Sequence, residues 1–455
     1  MKQKINRITD ILRRDDGISG AMHYTEQISW ILFLKFLDDY ESRESDNAIL
    51  DKDYKYILEE KYRWKNWIKL QNGMISDDLK DFVNKDLFPY LKSFRNINED
   101  YHSIKYKVEI FHFIDNRIES GHTLREIVDI IDELNFQKQE DLFELSHIYE
   151  DLLQGMNDGG NSEFYTPRSI IKIMVDSLDP KIQTVYDPAT SCGFLIEAFN
   201  HMNAQDKTDK ELEFLNKNTF FNEKTLAYIM VMNLILHGIS NPNINKKNTL
   251  TQDIRQIQEK DRYDIILANP PFGKEKDIIQ QNFPIKTNAT EMLFLQHIMK
   301  NLKLGKASIV IPEVLFNTSA FEIKKLILED FNLHSIVSLP AVFLPYSVKT
   351  NIIFFDREST KDIWFYEINL DRKLTKNKPI TYDEIKHIPE MLQKRELPNS
   401  WIVKVEDIKD YDLSAKNPNK SNFEEIRTPN QIFDEMKEND EVINNLLLDL
   451  KEILK

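Results

Sequence analysis

The sequence predicts an α/β fold with a mainly parallel sheet, a helical region before it and an amphipathic helix at the end of the chain. Three observations predict it. Short β-rich runs alternate with helical runs between about residues 160 and 358. The first 150 residues carry apolar side chains at three- and four-residue spacing with no strand rhythm. The last segment places Ile432, Met436, Ile443, Leu447, Leu450 and Leu454 close to heptad spacing, with acids between them.

Residues 1–150 open on the breaks Gly17 and Gly20, then Thr25 as a helix N-cap, then a run over 28–37 that is apolar nearly all round. Such a run belongs to a buried helix. Stretches over 124–134 and 142–153 repeat the helical spacing, and the plain expectation is a packing domain without chemistry. In residues 151–385, strands are expected over 182–186, 218–221, 263–268, 307–311, 335–339 and 351–355, with helices over 225–237 and 291–302 between them. Ligands of such sheets sit beyond the carboxyl ends of the strands. Residues 386–455 begin polar and end in a helix opened by Thr428 and Pro429. That helix suits docking onto partner helices or packing within the chain, and both readings stand at this point.

Composition narrows the function. A single cysteine in 455 residues excludes a disulfide framework and any multi-cysteine metal site. No apolar run approaches the ~18 residues of a membrane span, so the expectation is a soluble cytoplasmic protein with no membrane partner. A net charge of −15 makes the whole chain a poor polyanion binder, so attraction to nucleic acid must come from a local basic groove or a partner. No Gly-x-x-x-x-Gly-Lys-Ser/Thr loop is present for phosphate transfer.

Asn269, Pro270, Pro271 and Phe272 follow directly on the strand expected over 263–268. Two prolines cannot continue a central strand, so the chain turns at the sheet's edge. One amide and one aromatic then stand at the mouth of the domain, a set that suits a planar amine. The Asn269 oxygen and the Pro270 carbonyl accept its two hydrogens while Phe272 stacks on its ring. Accepting both hydrogens favours a nitrogen becoming tetrahedral as it attacks a methyl group. Asn-Pro-Pro alone would be read as a tight loop with a capping asparagine; after such a strand, that reading loses most of its weight. A second loop, from Asp187 and Pro188 to Gly193, joins a strand to a helix through small residues, as nucleotide-type loops do. Thr166 is placed to cap a helix beginning at Pro167, and Glu223 ends a strand about 35 residues after Asp187, where an acid suits a ribose diol.

Together these residues resemble adenine-N6 DNA methyltransferases, and more narrowly the modification (M) subunits of type I restriction–modification systems. The resemblance covers nearly the whole chain. It includes Gly17-Ile18-Ser19-Gly20 with Tyr24-Thr25-Glu26-Gln27, Phe164-Tyr165-Thr166-Pro167-Arg168, Asn233-Leu234-Ile235-Leu236-His237-Gly238-Ile239, Lys349-Thr350-Asn351 and Tyr411-Asp412-Leu413-Ser414. It implies a Rossmann-like, mostly parallel seven-stranded sheet with a helical N-terminal domain and a C-terminal helical tail. It implies S-adenosyl-L-methionine bound through Phe164, Tyr165, Thr166, Asp187, Ala189, Thr190, Ser191, Gly193 and Glu223, with Asn248, Thr249 and Leu250 near its adenine ring. Asn269, Pro270, Pro271 and Phe272 become the catalytic residues, receiving an adenine flipped out of double-stranded DNA. A separate specificity (S) subunit reads the DNA, with two M to one S, and a restriction (R) subunit can join. The helix over 432–454 is the candidate for docking the S subunit, and no metal is implied.

The family pattern is Asp-Pro-x-x-Gly-Ser/Thr-Gly-x-Phe-Leu; here Asp187 reaches Leu195 one residue sooner, with a glycine absent. Comparable shortfalls fall before Glu163, between Glu313 and Val314, between Ala341 and Val342 and between Ser347 and Val348, with flanking residues matching each time. The shortened loop leaves a catalytically impaired scaffold of a DNA-binding complex as one alternative, and the planar amide that an Asn-Pro-Pro-aromatic motif also accepts leaves a protein-glutamine N-methyltransferase as another.

Overall fold

A computed structural model describes residues 1–48, 55–71, 76–93, 111, 114–136, 152, 166–189, 193–222, 227–239, 242–245, 247–316, 320–343, 348–375, 378–395, 399–414, 417–418 and 437. Met1–Ser414 form one compact unit. A second spans Ala415–Lys455, and the helix expected over 432–454 lies almost wholly outside the described residues.

The N-terminal part is helical, as expected. The helix Ala21–Ala48 is buried on every side between Tyr24 and Asp39, which explains a sequence with no polar face. It starts four residues before Thr25. Thr25 is therefore not its N-cap; its carbonyl accepts the Ser29 hydroxyl at 2.6 Å inside the helix. Lys2–Leu12 packs Ile5, Ile8 and Leu12 inward, and Gly121–Asp132 starts at a working cap, Ser120, whose side chain accepts from Thr123 N–H at 3.2 Å. Gly17 lies so close to another segment that a Cβ there would fall 1.8 Å from the Arg117 carbonyl oxygen, so only glycine fits. No helix among the described residues is long and apolar enough to cross a membrane.

The rest is organised by one sheet. Its described strands are β1 Val185–Asp187, β2 Thr219–Asn222, β3 Asn243–Asn245, β4 Tyr263–Ala268, β5 Leu302–Pro312, β6 Asn332–Leu339, β7 Thr350–Asp356, β8 Asp362–Glu367 and β9 Ser400–Lys404. They lie in the order β3-β2-β1-β4-β5-β7-β6-β8-β9. β3 to β5 run parallel across β2, β1 and β4, whereas β7 is antiparallel to both β5 and β6. The six strands placed from the sequence are present, β3 adds one that was not placed, and β8 and β9 extend the sheet beyond the seven strands that the resemblance implies. β9 comes from the segment read as a polar tail. Residues such as Ile352, Ile353, Phe354 and Phe355 of β7 are buried on both faces, as a covered central strand requires. The order reverses between β1 and β4, and that switch point opens the crevice in which ligands of open α/β sheets bind.

Candidate active site

The carboxyl ends of β1, β2 and β4 meet at this crevice, because Val185 lies opposite both Thr219 and Ile265 and the three strands run parallel. Asp187 ends β1 fully buried, and its Oδ1 accepts the Ala189 N–H at 2.9 Å, an Asx turn across Pro188. The Pro188 carbonyl accepts the Thr249 hydroxyl at 2.5 Å. Asn248 opens the short turn Thr249–Thr251 by accepting the Leu250 N–H at 3.0 Å, and the Leu250 carbonyl accepts Asn282 Nδ2 at 3.0 Å. Asp187, Ala189, Asn248, Thr249 and Leu250 thus stand together.

β4 stops at Ala268, where the two prolines take the chain out of the sheet. The Asn269 side chain is buried, and its Nδ2 donates to Thr166 Oγ1 at 2.9 Å. That bond turns the amide oxygen to the opposite side. Phe272 is half-buried and meets Phe343 edge-on, with ring centres 5.9 Å apart and planes at 84°. Gly273 N–H then donates to Glu291 Oε1 at 3.3 Å, while its carbonyl accepts from Thr290 N–H at 3.1 Å. The loop is thereby laced to the first turn of the helix Thr290–Asn301. Burial pushes the Glu291 carboxyl above its ordinary pKa.

Behind these loops lies a buried polar chain that the sequence analysis did not single out. Asn222 Nδ2 donates to the Tyr186 hydroxyl at 2.6 Å and to Thr249 Oγ1 at 3.1 Å. The Tyr186 hydroxyl also shares a hydrogen bond with His297 Nε2 at 3.0 Å. The Tyr186 ring stacks on Tyr263, centres 4.3 Å apart. Burial lowers His297 to about 3, so its imidazole is neutral, and raises Tyr263 to about 12 and Tyr186 well above its ordinary value. The available signal was a histidine and a glutamine, His297 and Gln296, inside an otherwise apolar helical run, and a tyrosine next to Asp187.

Gly193 starts the helix Gly193–Asn203, and a Cβ on it would fall 2.5 Å from Ile171 Cδ1, so its smallness also serves helix packing. Phe164, Tyr165, Thr190, Ser191 and Glu223 lie outside the described residues. Thr166 is not the helix cap expected. The helix is Arg168–Leu178, Pro167 occupies the N-cap position without a side-chain bond, and the Thr166 hydroxyl serves Asn269.

A sheet of this order, with an Asn-Pro-Pro-Phe loop after β4 and a buried acid at the end of β1, defines a Rossmann-like methyltransferase. Residues 138–428 match the family model for the N-6 DNA methylases, and residues 1–131 match that for the HsdM N-terminal domain. The type I restriction enzyme EcoEI methylase subunit of Escherichia coli is 34% identical over 444 residues, spanning 91% of this chain and 89% of its own. The crystal structure of a modification subunit described for a type I restriction enzyme of Vibrio vulnificus superposes with a TM-score of 0.84 at 36% identity, covering 92% of this chain and 97% of that one. A chain from a structural study of type I restriction–modification assembly reaches 0.76 at 37% identity, covering 99% and 97%. The chain belongs to the N-6 DNA methylase family, as the methylase subunit of a type I restriction–modification system. Its family is S-adenosylmethionine-dependent, and it is a member of a complex that associates with other subunits and DNA.

Proposed function

We propose that S-adenosyl-L-methionine binds across residues 164–166, 187–193, 223 and 248–250, and that Asn269, Pro270, Pro271 and Phe272 receive an adenine flipped out of double-stranded DNA. The donor set fits that cofactor. A buried carboxylate at Asp187 complements a cationic ligand, the Asx turn exposes backbone beside it, and the buried Leu250 offers an apolar wall to a purine. When bound, the cofactor supplies an electrophilic methyl carbon.

The observation behind the catalytic assignment is the Asn269–Thr166 bond. With its nitrogen tied to Thr166, Asn269 turns an acceptor oxygen the other way, and the Pro270 carbonyl adds a second acceptor. These two oxygens hold the hydrogens of the adenine N6 amine, and their bonds strengthen as that nitrogen becomes tetrahedral. Phe272, braced by Phe343, stacks on the base. Thr166 is a positioning residue in this reading.

Sequence recognition falls to the specificity subunit, with two methylase subunits to one, and the restriction subunit joins that assembly. The net charge of −15 supports a need for such a partner. The domain division follows the sequence reading: 1–150 helical, 151–385 catalytic, and 386–455 carrying the docking helix. The test is transfer of labelled methyl from S-adenosylmethionine to duplex DNA, with and without the specificity subunit. Label on adenine N6 only with the partner, and lost in Asn269→Ala, is the expected result. Label persisting in Asn269→Ala overturns the catalytic assignment, and a stable DNA complex with no transfer turns the reading towards a scaffold with a shortened cofactor loop.

A further inference from the structure

We propose that Tyr186 and His297 are a positioning pair for the methyl transfer, tying the cofactor loop to the base-holding loop through the interior of the domain. The proposal rests on the assignment of residues 187–193 to S-adenosylmethionine made above.

The connection can be followed bond by bond. His297 Nε2 meets the Tyr186 hydroxyl at 3.0 Å, and that oxygen accepts Asn222 Nδ2 at 2.6 Å. Asn222 Nδ2 also reaches Thr249 Oγ1 at 3.1 Å, and Thr249 donates to the Pro188 carbonyl at 2.5 Å. Pro188 has no N–H, so this carbonyl is the one backbone group by which hydrogen bonding can hold it. At the other end, His297 stands on the helix Thr290–Asn301, whose first turn grips Gly273, the residue after Phe272. One rigid element therefore touches both loops, and Tyr186 is the link through which it does so.

Packing does not account for these residue types. Tyr186, Asn222, Thr249 and His297 are all buried, His297 completely. Phenylalanine and leucine would fill the Tyr186 and His297 positions without the desolvation cost that polar groups bring to a dry interior. Neither group moves a proton: His297 stays neutral and Tyr186 stays protonated throughout the physiological range. What remains is geometry. The pair acts as a fixed-length spacer, the Tyr186 hydroxyl joining His297 to Asn222 and through it to Thr249 and Pro188.

The experiment uses the full chain with its specificity subunit, assayed well below the melting temperature. Tyr186→Phe deletes only the hydroxyl and keeps the ring stack on Tyr263. The KM for S-adenosylmethionine is expected to rise about tenfold, the effect of losing a buried hydrogen bond, while the KM for DNA is unchanged. His297→Leu should behave alike, and His297→Gln, which keeps a polar group near the Nε2 position, should recover most of the affinity. The double variant Tyr186→Phe/His297→Leu should be no worse than either single one, because the two act through one bond. An unmoved KM in Tyr186→Phe, or losses that add in the double variant, overturns the proposal. Asp187→Ala separates the two levels. If it leaves cofactor KM unmoved, the parent assignment fails; if it raises KM while Tyr186→Phe does not, only the pair fails.

Discussion

The helix Ala21–Ala48 and the carboxyl edge of β1, β2 and β4 both bury polar side chains, but those side chains hold different parts of the fold. In the helical region they reach one another, as Lys35 reaches Asp39 and Trp30 reaches Gln27, and they also reach irregular backbone. Gln27 donates to the Asp115 carbonyl at 3.1 Å and accepts the Arg117 N–H at 3.1 Å, Asp39 accepts the Phe136 N–H at 3.0 Å, and Glu41 accepts the Ile57 N–H at 2.5 Å. Asp15 alone takes the N–H groups of Gly17, Glu119 and Ser120. These segments are irregular, so their amides need side-chain acceptors. At the sheet edge the buried groups bond to one another, Thr166 to Asn269 and Asn222 to Tyr186 and Thr249, and to the loops after the strands, Asp187 to the Ala189 N–H and Thr249 to the Pro188 carbonyl. The two regions thus differ in what their buried bonds hold: irregular segments at 57, 115–120 and 136 in one, and the loops at 187–189 and 269 in the other.

That contrast can be broken or sharpened by four measurements. The largest effect is expected for Asn269→Ala, which should lower methyl-transfer turnover per folded molecule by about 100- to 1,000-fold, as loss of a transition-state hydrogen-bond partner does. Asp15→Ala should do the reverse. It strands three amide donors and should cost about 3 kcal/mol of stability in denaturant unfolding, with turnover per folded molecule unchanged. Thr166→Val keeps the shape and removes the amide's anchor, so turnover should fall about tenfold. The smallest effect concerns pH. His297 titrates at about 3 when folded and near 6.5 when unfolded, so its contribution is complete above 6.5 and is lost as pH falls towards 3. Between pH 6.5 and 5.5 the loss should be about 1 kcal/mol, and His297→Gln should remove that part of the acid limb. His201, held between Asp176 and Asp179, is raised instead, so its contribution is present below 6.5 and is lost as pH rises through its folded value.

Much of the fold was legible because it is periodic. β4 falls on the expected residues 263–268, and the helix Thr290–Asn301 lies within one residue of expectation at each end. β5 begins at Leu302 rather than 307 for a reason no local pattern carries. A Cβ on Gly305 would fall 1.7 Å from the Asp264 carbonyl, so glycine alone lets the strand continue beside β4 across the irregularity between Tyr263 and Ile265. Thr25 was misplaced because the apolar run starting at 28 marked the helix start, whereas tertiary partners at 115–117 let the helix bury polar residues earlier. At the site, residues 269–272 were readable because two prolines after a strand leave few geometries. Thr166 was read as a helix cap, and its hydroxyl serves Asn269 instead. Its partner lies 103 residues away, and that contact exists only in the folded chain. The Tyr186–His297 bond, across 111 residues, was invisible for the same reason.

The most direct test of this account is methyl-transfer turnover and melting temperature measured together for Thr166→Val and Asp15→Ala, in the full chain with its specificity subunit. The account predicts that Thr166→Val loses turnover per folded molecule, while Asp15→Ala melts earlier and keeps its turnover per folded molecule. Equal loss of both properties in both variants would contradict it, because buried polar groups at the sheet edge would then be scaffolding like the rest.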